Sequence, residues 1–143
     1  GGMKVLVSAC LLGENCKYSG GNNLCPGLLD WLKKEGHEAV PVCPEQLGGL
    51  PTPRTPAEIV GGAVTTRDGE DVDQAFRRGA EAALDIARRE GAELAVLQPR
   101  SPSCGVKQVY DGTFSGRRVS GQGVFARLLA ESGFPLLEPE DLP

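Results

Sequence analysis

The chain has 143 residues, of which 40% are hydrophobic and 24% are charged, and its formal net charge at pH 7 is −4. This length and composition predict one folded domain and exclude a disordered chain, and the absence of a long apolar run or a secretory signal predicts a cytoplasmic protein without a membrane partner. The negative charge makes a nucleic-acid polymer a poor partner, because such binding depends on neutralising phosphates.

The sequence alternates between strand and helix patterns along its length. Gly1 and Gly2 precede Met3 and are interpreted as an expression scar, so the predicted domain covers residues 3–143. In chain order, the predicted elements are a strand over 3–9, a helix over 24–35, a strand over 38–42, a helix over 72–90, a strand over 93–97, a hairpin over 106–119 that turns at Asp111–Gly112, a helix from Ser120 and a strand over 134–137. The glycine- and proline-rich segment 44–54 is expected to be irregular.

This order of elements predicts an α/β fold. We expect a Rossmann-like parallel sheet of about four strands, with helices on both faces and a β-hairpin insertion. In sheets of this kind the ligand binds outside the carboxyl ends of the strands. Residues that directly follow the predicted strands are therefore the first candidates for a functional site.

Three of the five cysteines lie at such positions. Cys10, Cys43 and Cys104 each follow a predicted parallel strand, so the fold would bring them to one edge of the sheet. Three converging thiolates can hold a metal and leave one coordination position open. The alternative interpretation is three buried, inert cysteines. The sequence contains no C-x-x-C pair and no glycine-rich nucleotide motif, which argues against a thioredoxin-like dithiol and a nucleotide-binding site.

Five ordered motifs identify a family. They are Ser8-Ala-Cys10-Leu-Leu-Gly13, Cys16-Lys-Tyr-Ser-Gly20, Cys43-Pro-Glu45-Gln-Leu-Gly-Gly-Leu-Pro-Thr-Pro-Arg54, Ser101-Pro-Ser-Cys104-Gly105 and Tyr110-Asp-Gly-Thr-Phe-Ser-Gly116. Together they resemble the thiouracil desulfidase family, and the resemblance covers essentially the whole chain.

The resemblance implies an enzyme with an oxygen-sensitive [4Fe–4S] cluster. Cys10, Cys43 and Cys104 would hold the cluster, and its fourth iron would have no protein ligand and would take the sulfur of the substrate. The implied reaction is the desulfuration of a small thiolated nucleobase, such as 2-thiouracil to uracil plus sulfide, without net electron transfer. Glu45 and Ser101 are implied as the acid–base and positioning pair.

The positions of Glu45 and Ser101 agree with these implied roles. Glu45 lies two residues after Cys43, and Ser101 lies three residues before Cys104, so both are expected near the metal. A carboxylate there can move protons between water and a ring nitrogen, and a hydroxyl can bind a substrate nitrogen or oxygen. The alternatives are a solvated loop carboxylate for Glu45 and a turn-capping hydroxyl for Ser101.

Three further residues keep more than one interpretation. Cys16 is expected to line the site without being a ligand, and Cys25 is expected to belong to the core. Arg54 is interpreted as an anion-binding residue, as a partner of Glu45 or as a member of a surface ion pair.

Two other functions are compatible with the cysteines. A non-catalytic iron–sulfur carrier or electron-transfer module would retain them without needing Glu45 or Ser101, although such a module usually has four cysteine ligands. A metal-free thiol sulfurtransferase would instead form a persulfide on Cys104.

Overall fold

The computed structural model describes residues 2–143, so Gly1, one of the two residues interpreted as a scar, lies outside the described residues. The strands are β1 (Lys4–Ser8), β2 (Glu38–Val42), β3 (Ala57–Val60), β4 (Ala63–Thr66), β5 (Leu94–Val96), β6 (Gln108–Tyr110), β7 (Arg118–Ser120) and β8 (Leu136–Leu137). The helices are α1 (Pro26–Glu35), α2 (Pro44–Leu47), α3 (Asp73–Glu90) and α4 (Val124–Glu131), with short 3-10 turns at Ala9–Leu12 and Pro139–Asp141.

Four parallel strands form the main sheet, in the order β2-β1-β5-β8. Strand β1 lies between β2 and β5 and pairs with both, so that Val7 is opposite Pro41 on one side and Val96 on the other. The predicted parallel α/β sheet of about four strands is confirmed. The remaining strands form two antiparallel hairpins, β3–β4 and β6–β7.

Helices cover both faces of this sheet. Val5 and Val7 of β1 are buried in the cluster that contains Leu28 of α1, whereas Leu6 is buried in the cluster that contains Ala83 of α3 and residues of α4. This separation follows from the alternation of side chains along a strand. A central strand that is apolar on both faces is expected for a parallel sheet covered by helices.

Helix α3 is the longest helix. It begins where the Asp71 carboxylate accepts a hydrogen bond from the Asp73 N–H at 2.9 Å, and it ends at Gly91, whose φ of 72° is readily adopted by glycine. None of the helices formed by residues 2–143 combines the length and the apolar character that crossing a bilayer would require.

The segment expected to be irregular contains a helical turn. Residues Pro44–Leu47 form α2, so the prediction for 44–54 is wrong over these four residues. Pro44 occupies the first helical position, where the missing N–H costs nothing and the fixed φ favours the helix. The glycines and prolines that follow end the helix after one turn.

The two hairpins also differ from the sequence prediction. In the second hairpin Tyr110 pairs with Arg118, so residues 111–117 form a seven-residue loop instead of a two-residue Asp-Gly turn. The loop is held from a distance, because the Glu58 carboxylate on β3 accepts hydrogen bonds from the N–H groups of Gly112 and Phe114 at 2.9 and 3.1 Å. The β3–β4 hairpin that supplies Glu58 was not predicted at all.

The α2 turn packs directly on the backbone of α3. A Cβ placed on Gly79 of α3 would overlap the carbonyl oxygen of Pro44, and a Cβ placed on Gly48 would overlap the carbonyl oxygen of Ala75. Both positions therefore require glycine for close approach of the two backbones. This contact fixes α2, and with it Glu45, against the longest helix.

We expect Gly79→Ala to lower the free energy of unfolding by about 1–3 kcal/mol, because the added methyl overpacks the contact between α2 and α3. Helix propensity alone predicts the opposite sign, since alanine is the better helix former. The matched control is Gly27→Ala on the exposed side of α1, where a Cβ would meet nothing within 4 Å. The free energy of unfolding of that variant should rise by about 0.5 kcal/mol. Urea unfolding measures both, and a Gly79→Ala chain as stable as the Gly27→Ala chain would contradict the packing argument.

Candidate active site

One cavity of about 710 Å³ lies at the carboxyl edge of the main sheet. It is lined by all five residues that the sequence singled out: Cys10, Cys43, Glu45, Ser101 and Cys104. The prediction that the three strand-end cysteines face one cavity is confirmed. Their roles as ligands, and the catalytic roles of Glu45 and Ser101, stay predictions.

The position of the cavity follows from the strand order. The chain leaves β1 to form β2 on one side and later forms β5 on the other, so the order reverses between β1 and β5. Ligands of open α/β sheets bind at such a reversal. Ser8 links the carboxyl ends of β1 and β5, because its hydroxyl accepts a hydrogen bond at 2.9 Å from the N–H of Gln98, which follows β5.

The sulfur atoms of two of these cysteines are buried and lie beside neutral polar groups. The Asn23 side-chain amide donates to Cys10 Sγ at 3.5 Å, and Ser103 Oγ lies 3.7 Å from Cys104 Sγ. Burial raises the pKa of the Cys104 thiol to about 12 despite the neighbouring hydroxyl groups of Ser8 and Ser103, and burial also raises the pKa of the Cys10 thiol. Without a cation these sulfurs are neutral thiols, and a bound metal would deprotonate them.

The other two cysteines differ in their distance from the cavity. Cys16 lines it, as expected, and its carbonyl oxygen accepts hydrogen bonds from Cys43 Sγ at 3.7 Å and from Arg54 at 2.8 Å. Burial and the neighbouring Cys43 raise the pKa of Cys16 to about 12. Cys25 precedes α1 and packs against the core on that side of the sheet. All five thiols are free.

Glu45 lies on α2 and is held by Arg54. Arg54 Nε donates to Glu45 Oε1 at 2.9 Å, and the two side chains are only 8% and 14% exposed, respectively. Of the three interpretations of Arg54, pairing with Glu45 is confirmed, whereas an exposed surface ion pair is wrong because both side chains are largely shielded from solvent. The guanidinium is fixed by further acceptors: Cys16 O, Thr52 Oγ1 and Pro51 O.

Two serines connect the loop after β5 to this carboxylate. Ser101 Oγ accepts hydrogen bonds from the N–H groups of Ser103 and Cys104 at 3.1 and 3.0 Å, so its hydroxyl does cap the turn. Ser103 Oγ lies 2.9 Å from Ser101 Oγ and donates to Glu45 Oε2 at 2.7 Å. Sequence reasoning missed Ser103, because its carboxylate partner is 58 residues away and no local pattern marks it.

The cavity is also lined by side chains that sequence reasoning left without a role. They include Arg67, Arg100, Tyr110 and Phe114. Arg100 and Phe114 have φ angles of 65° and 56°, which are uncommon for residues other than glycine. Strained backbone of this kind clusters at functional sites, but it is visible only in the folded chain, and no sequence pattern marks these residues.

The residues at the base of the cavity fit an iron–sulfur cluster. Thiolates are the ligands of such clusters, and each iron takes its own cysteine. Within residues 2–143 no three His, Cys, Asp or Glu side chains converge closely enough to share a single metal ion. Cysteines supplied by three separate loops around one cavity suit several irons better than one ion.

Comparisons with known proteins point to the same chemistry. A family model described as 2-thiouracil desulfurase matches residues 5–141. The protein YbbK of Bacillus subtilis (strain 168), which is described as uncharacterized, is 38% identical over 148 residues, covering 96% of this chain and 97% of YbbK. A solved structure of the [4Fe-4S]-dependent thiouracil desulfidase TudS is 43% identical, with a TM-score of 0.91 and coverage of 99% of this chain and 93% of that chain.

We expect Arg54→Met to lower the free energy of unfolding by about 3 kcal/mol, because it leaves the Glu45 carboxylate buried without its cation. The double variant Arg54→Met, Glu45→Gln should recover part of this loss, since no charge is then left unpaired. The matched control is Arg127→Met, which breaks an exposed pair with Glu131 and should change stability by less than about 0.5 kcal/mol. Urea unfolding of the four chains gives the comparison, and equal losses for Arg54→Met and Arg127→Met would contradict a buried pair.

Proposed function

Because the chain belongs to the 2-thiouracil desulfurase family, we propose that it removes sulfur from a thiolated pyrimidine such as 2-thiouracil at a [4Fe–4S] cluster. The products are the oxo-base and sulfide. One water molecule is consumed and no net electron is transferred, so no external oxidant or reductant is needed. The observation that carries this proposal is the cavity itself, which combines three strand-end cysteines with the Glu45 carboxylate and the Ser101 hydroxyl.

Cys10, Cys43 and Cys104 are the residues that would hold the cluster. A bound cluster would supply a Lewis-acidic iron, which would polarise the carbon–sulfur bond of the substrate. The chain contributes a hydrogen bond from the Asn23 amide to the Cys10 sulfur, and it places the Ser103 hydroxyl 3.7 Å from the Cys104 sulfur. Donors of this kind orient the ligands of a metal site and adjust its properties.

Glu45 and Ser101 are proposed to handle the substrate and its protons. Glu45 is held in one orientation by Arg54, and its carboxylate can accept a proton from the water that attacks the carbon–sulfur carbon. The Ser101 hydroxyl can bind a nitrogen or oxygen atom of the base. Two backbone N–H groups fix the position of Ser101 Oγ before substrate arrives, which reduces the entropy lost on binding.

The two alternative functions are less well supported by this cavity. A carrier or electron-transfer protein has no use for a buried carboxylate fixed by an arginine and a serine beside its cluster. A sulfurtransferase needs a thiolate nucleophile at neutral pH, whereas burial raises the pKa of Cys104 to about 12 in the metal-free chain. Desulfuration uses every one of these groups.

We further propose that residues 3–143 act as one domain in a reducing compartment, the cytoplasm. The support is the set of five free thiols, together with a cluster that is sensitive to oxygen.

Replacing any of Cys10, Cys43 and Cys104 by alanine should abolish the visible iron–sulfur absorbance and the bound iron after anaerobic reconstitution, because each removes one thiolate–iron bond. Cys16→Ala and Cys25→Ala are the matched controls and should retain both. Iron and sulfide analysis of the five variants is the measurement. Loss of the cluster in Cys16→Ala with retention in Cys43→Ala would show that the ligand set is different.

Glu45→Ala and Ser101→Ala should bind a normal cluster yet turn over poorly. A positioned acid–base group contributes about 10²–10⁴ in rate, so kcat of Glu45→Ala should fall on that scale, with a smaller loss for Ser101→Ala. Glu14→Ala, an exposed carboxylate outside the cavity, is the control. Anaerobic assays follow the loss of 2-thiouracil and the release of sulfide. Wild-type turnover by Glu45→Ala would remove Glu45 from the mechanism, and an inactive wild type would favour the carrier.

A further inference from the structure

Ser103 joins the two residues to which the reaction is assigned. Its side chain is buried, with 2% of the residue exposed, and its hydroxyl lies between Glu45 Oε2 at 2.7 Å and Ser101 Oγ at 2.9 Å. Glu45 comes from the turn after β2 and Ser101 from the loop after β5. The Ser103 hydroxyl is therefore a direct polar link between the two halves of the cavity.

The hydrogen bonds give this link a direction. Ser101 Oγ already accepts from the N–H groups of Ser103 and Cys104, and these two donors occupy the two lone pairs of a hydroxyl oxygen. The Ser101 hydroxyl can therefore act here only as a donor, and Ser103 Oγ, 2.9 Å away, is its acceptor. An ionised carboxylate only accepts, so the Ser103 proton points to Glu45. The chain of donors runs from Ser101 through Ser103 to Glu45.

The other oxygen of the carboxylate is used separately. Arg54 Nε binds Glu45 Oε1 at 2.9 Å, and this contact balances the charge. Ser103 contributes no charge, so its effect on Glu45 is to fix the orientation of Oε2 and to connect it with Ser101. Both oxygens of Glu45 are then held, one by the cation and one by the hydroxyl.

We propose that Ser103 is a positioning residue that holds Glu45 Oε2 in the orientation in which the carboxylate takes a proton from the attacking water. In the transfer, the attacking water gives a proton to the Glu45 carboxylate, while Ser103 keeps its own proton and its hydrogen bond to Oε2. The net change is one proton moved from water to the carboxylate, with the protons of both serines unmoved and no electron transferred. This role rests on the proposed desulfuration and assigns to it a residue that the sequence did not reveal.

The backbone of Ser103 has a separate, structural task that the side chain does not share. Its carbonyl oxygen accepts hydrogen bonds from the N–H groups of Phe125 and Ala126 at the start of α4, and its own N–H binds Ser101 Oγ. Ser103→Ala leaves all three of these bonds in place and removes only the hydroxyl. The variant therefore separates the proposed link from the support of α4.

The test compares kcat, KM and iron content of the anaerobically reconstituted wild type, Ser103→Ala, Glu45→Ala and the double variant, with 2-thiouracil as substrate. For Ser103→Ala we expect kcat to fall about 10- to 100-fold, which corresponds to the loss of one hydrogen bond to a charged group. KM should stay within about twofold, and the iron content should be unchanged. In the Glu45→Ala background, Ser103→Ala should have no further effect, because a residue that acts through Glu45 has nothing left to act on.

The control is Ser132→Ala, which removes a half-buried serine hydroxyl that donates to Leu128 O at the end of α4, outside the cavity. It should leave kcat and KM unchanged. The role of Ser103 is overturned, with the proposed function left standing, if kcat of Ser103→Ala is unaltered or if its effect multiplies with that of Glu45→Ala. It is likewise overturned if the Ser103→Ala chain loses iron or does not fold. A wild type that carries its cluster but does not act on thiouracil would overturn the proposed function and this role together.

Discussion

The parallel pairing of β1 with both β2 and β5 is the constraint on which the site depends. The register places Ser8 opposite Val42 and Val7 opposite Val96, so the three strands end at the same edge of the sheet. Each following loop then enters one cavity with a cysteine. A slip of one residue would exchange the two faces of β1 and turn Leu6 away from α3 and α4, which the apolar packing on both faces prevents. The burial of the sheet thus maintains the geometry of the sulfurs.

The cavity contains two kinds of group that are costly to bury as anions, and the chain treats them differently. Glu45 has its own cation, because Arg54 is buried beside it and is held in place by three further acceptors. The sulfurs of Cys10 and Cys104 have only neutral polar neighbours in these contacts, the Asn23 amide and the Ser103 hydroxyl. A buried thiolate needs a compensating positive charge, which in a cluster protein comes from iron. The carboxylate is therefore preorganised by the polypeptide, whereas thiolates at these positions would depend on the proposed cluster.

Much of the fold was predictable from local patterns. The apolar runs that became β1 and β5 and the amphipathic stripe of α3 are short-range signals, and the strand-end positions of the cysteines follow from them. The predictions failed where a distant partner decides the conformation. The conformation of the loop 111–117 is set by hydrogen bonds to the Glu58 carboxylate of β3 and not by its own Asp-Gly pair. Helix α2 packs where Gly79 of α3 allows the two backbones to come into contact.

The same distinction applies within the site. Strand ends and family motifs led to Glu45 and Ser101, because both lie within three residues of a cysteine. No local sequence pattern marks Ser103. Its hydroxyl contacts Glu45 only because the fold brings the turn after β2 next to the loop after β5. Its neighbour Ser101 resembles it in sequence yet binds two backbone N–H groups of its own turn. The two serines stand in the same sequence motif, but the tertiary structure gives them different partners. A contact such as that between Ser103 and Glu45 therefore has to be found in the folded chain.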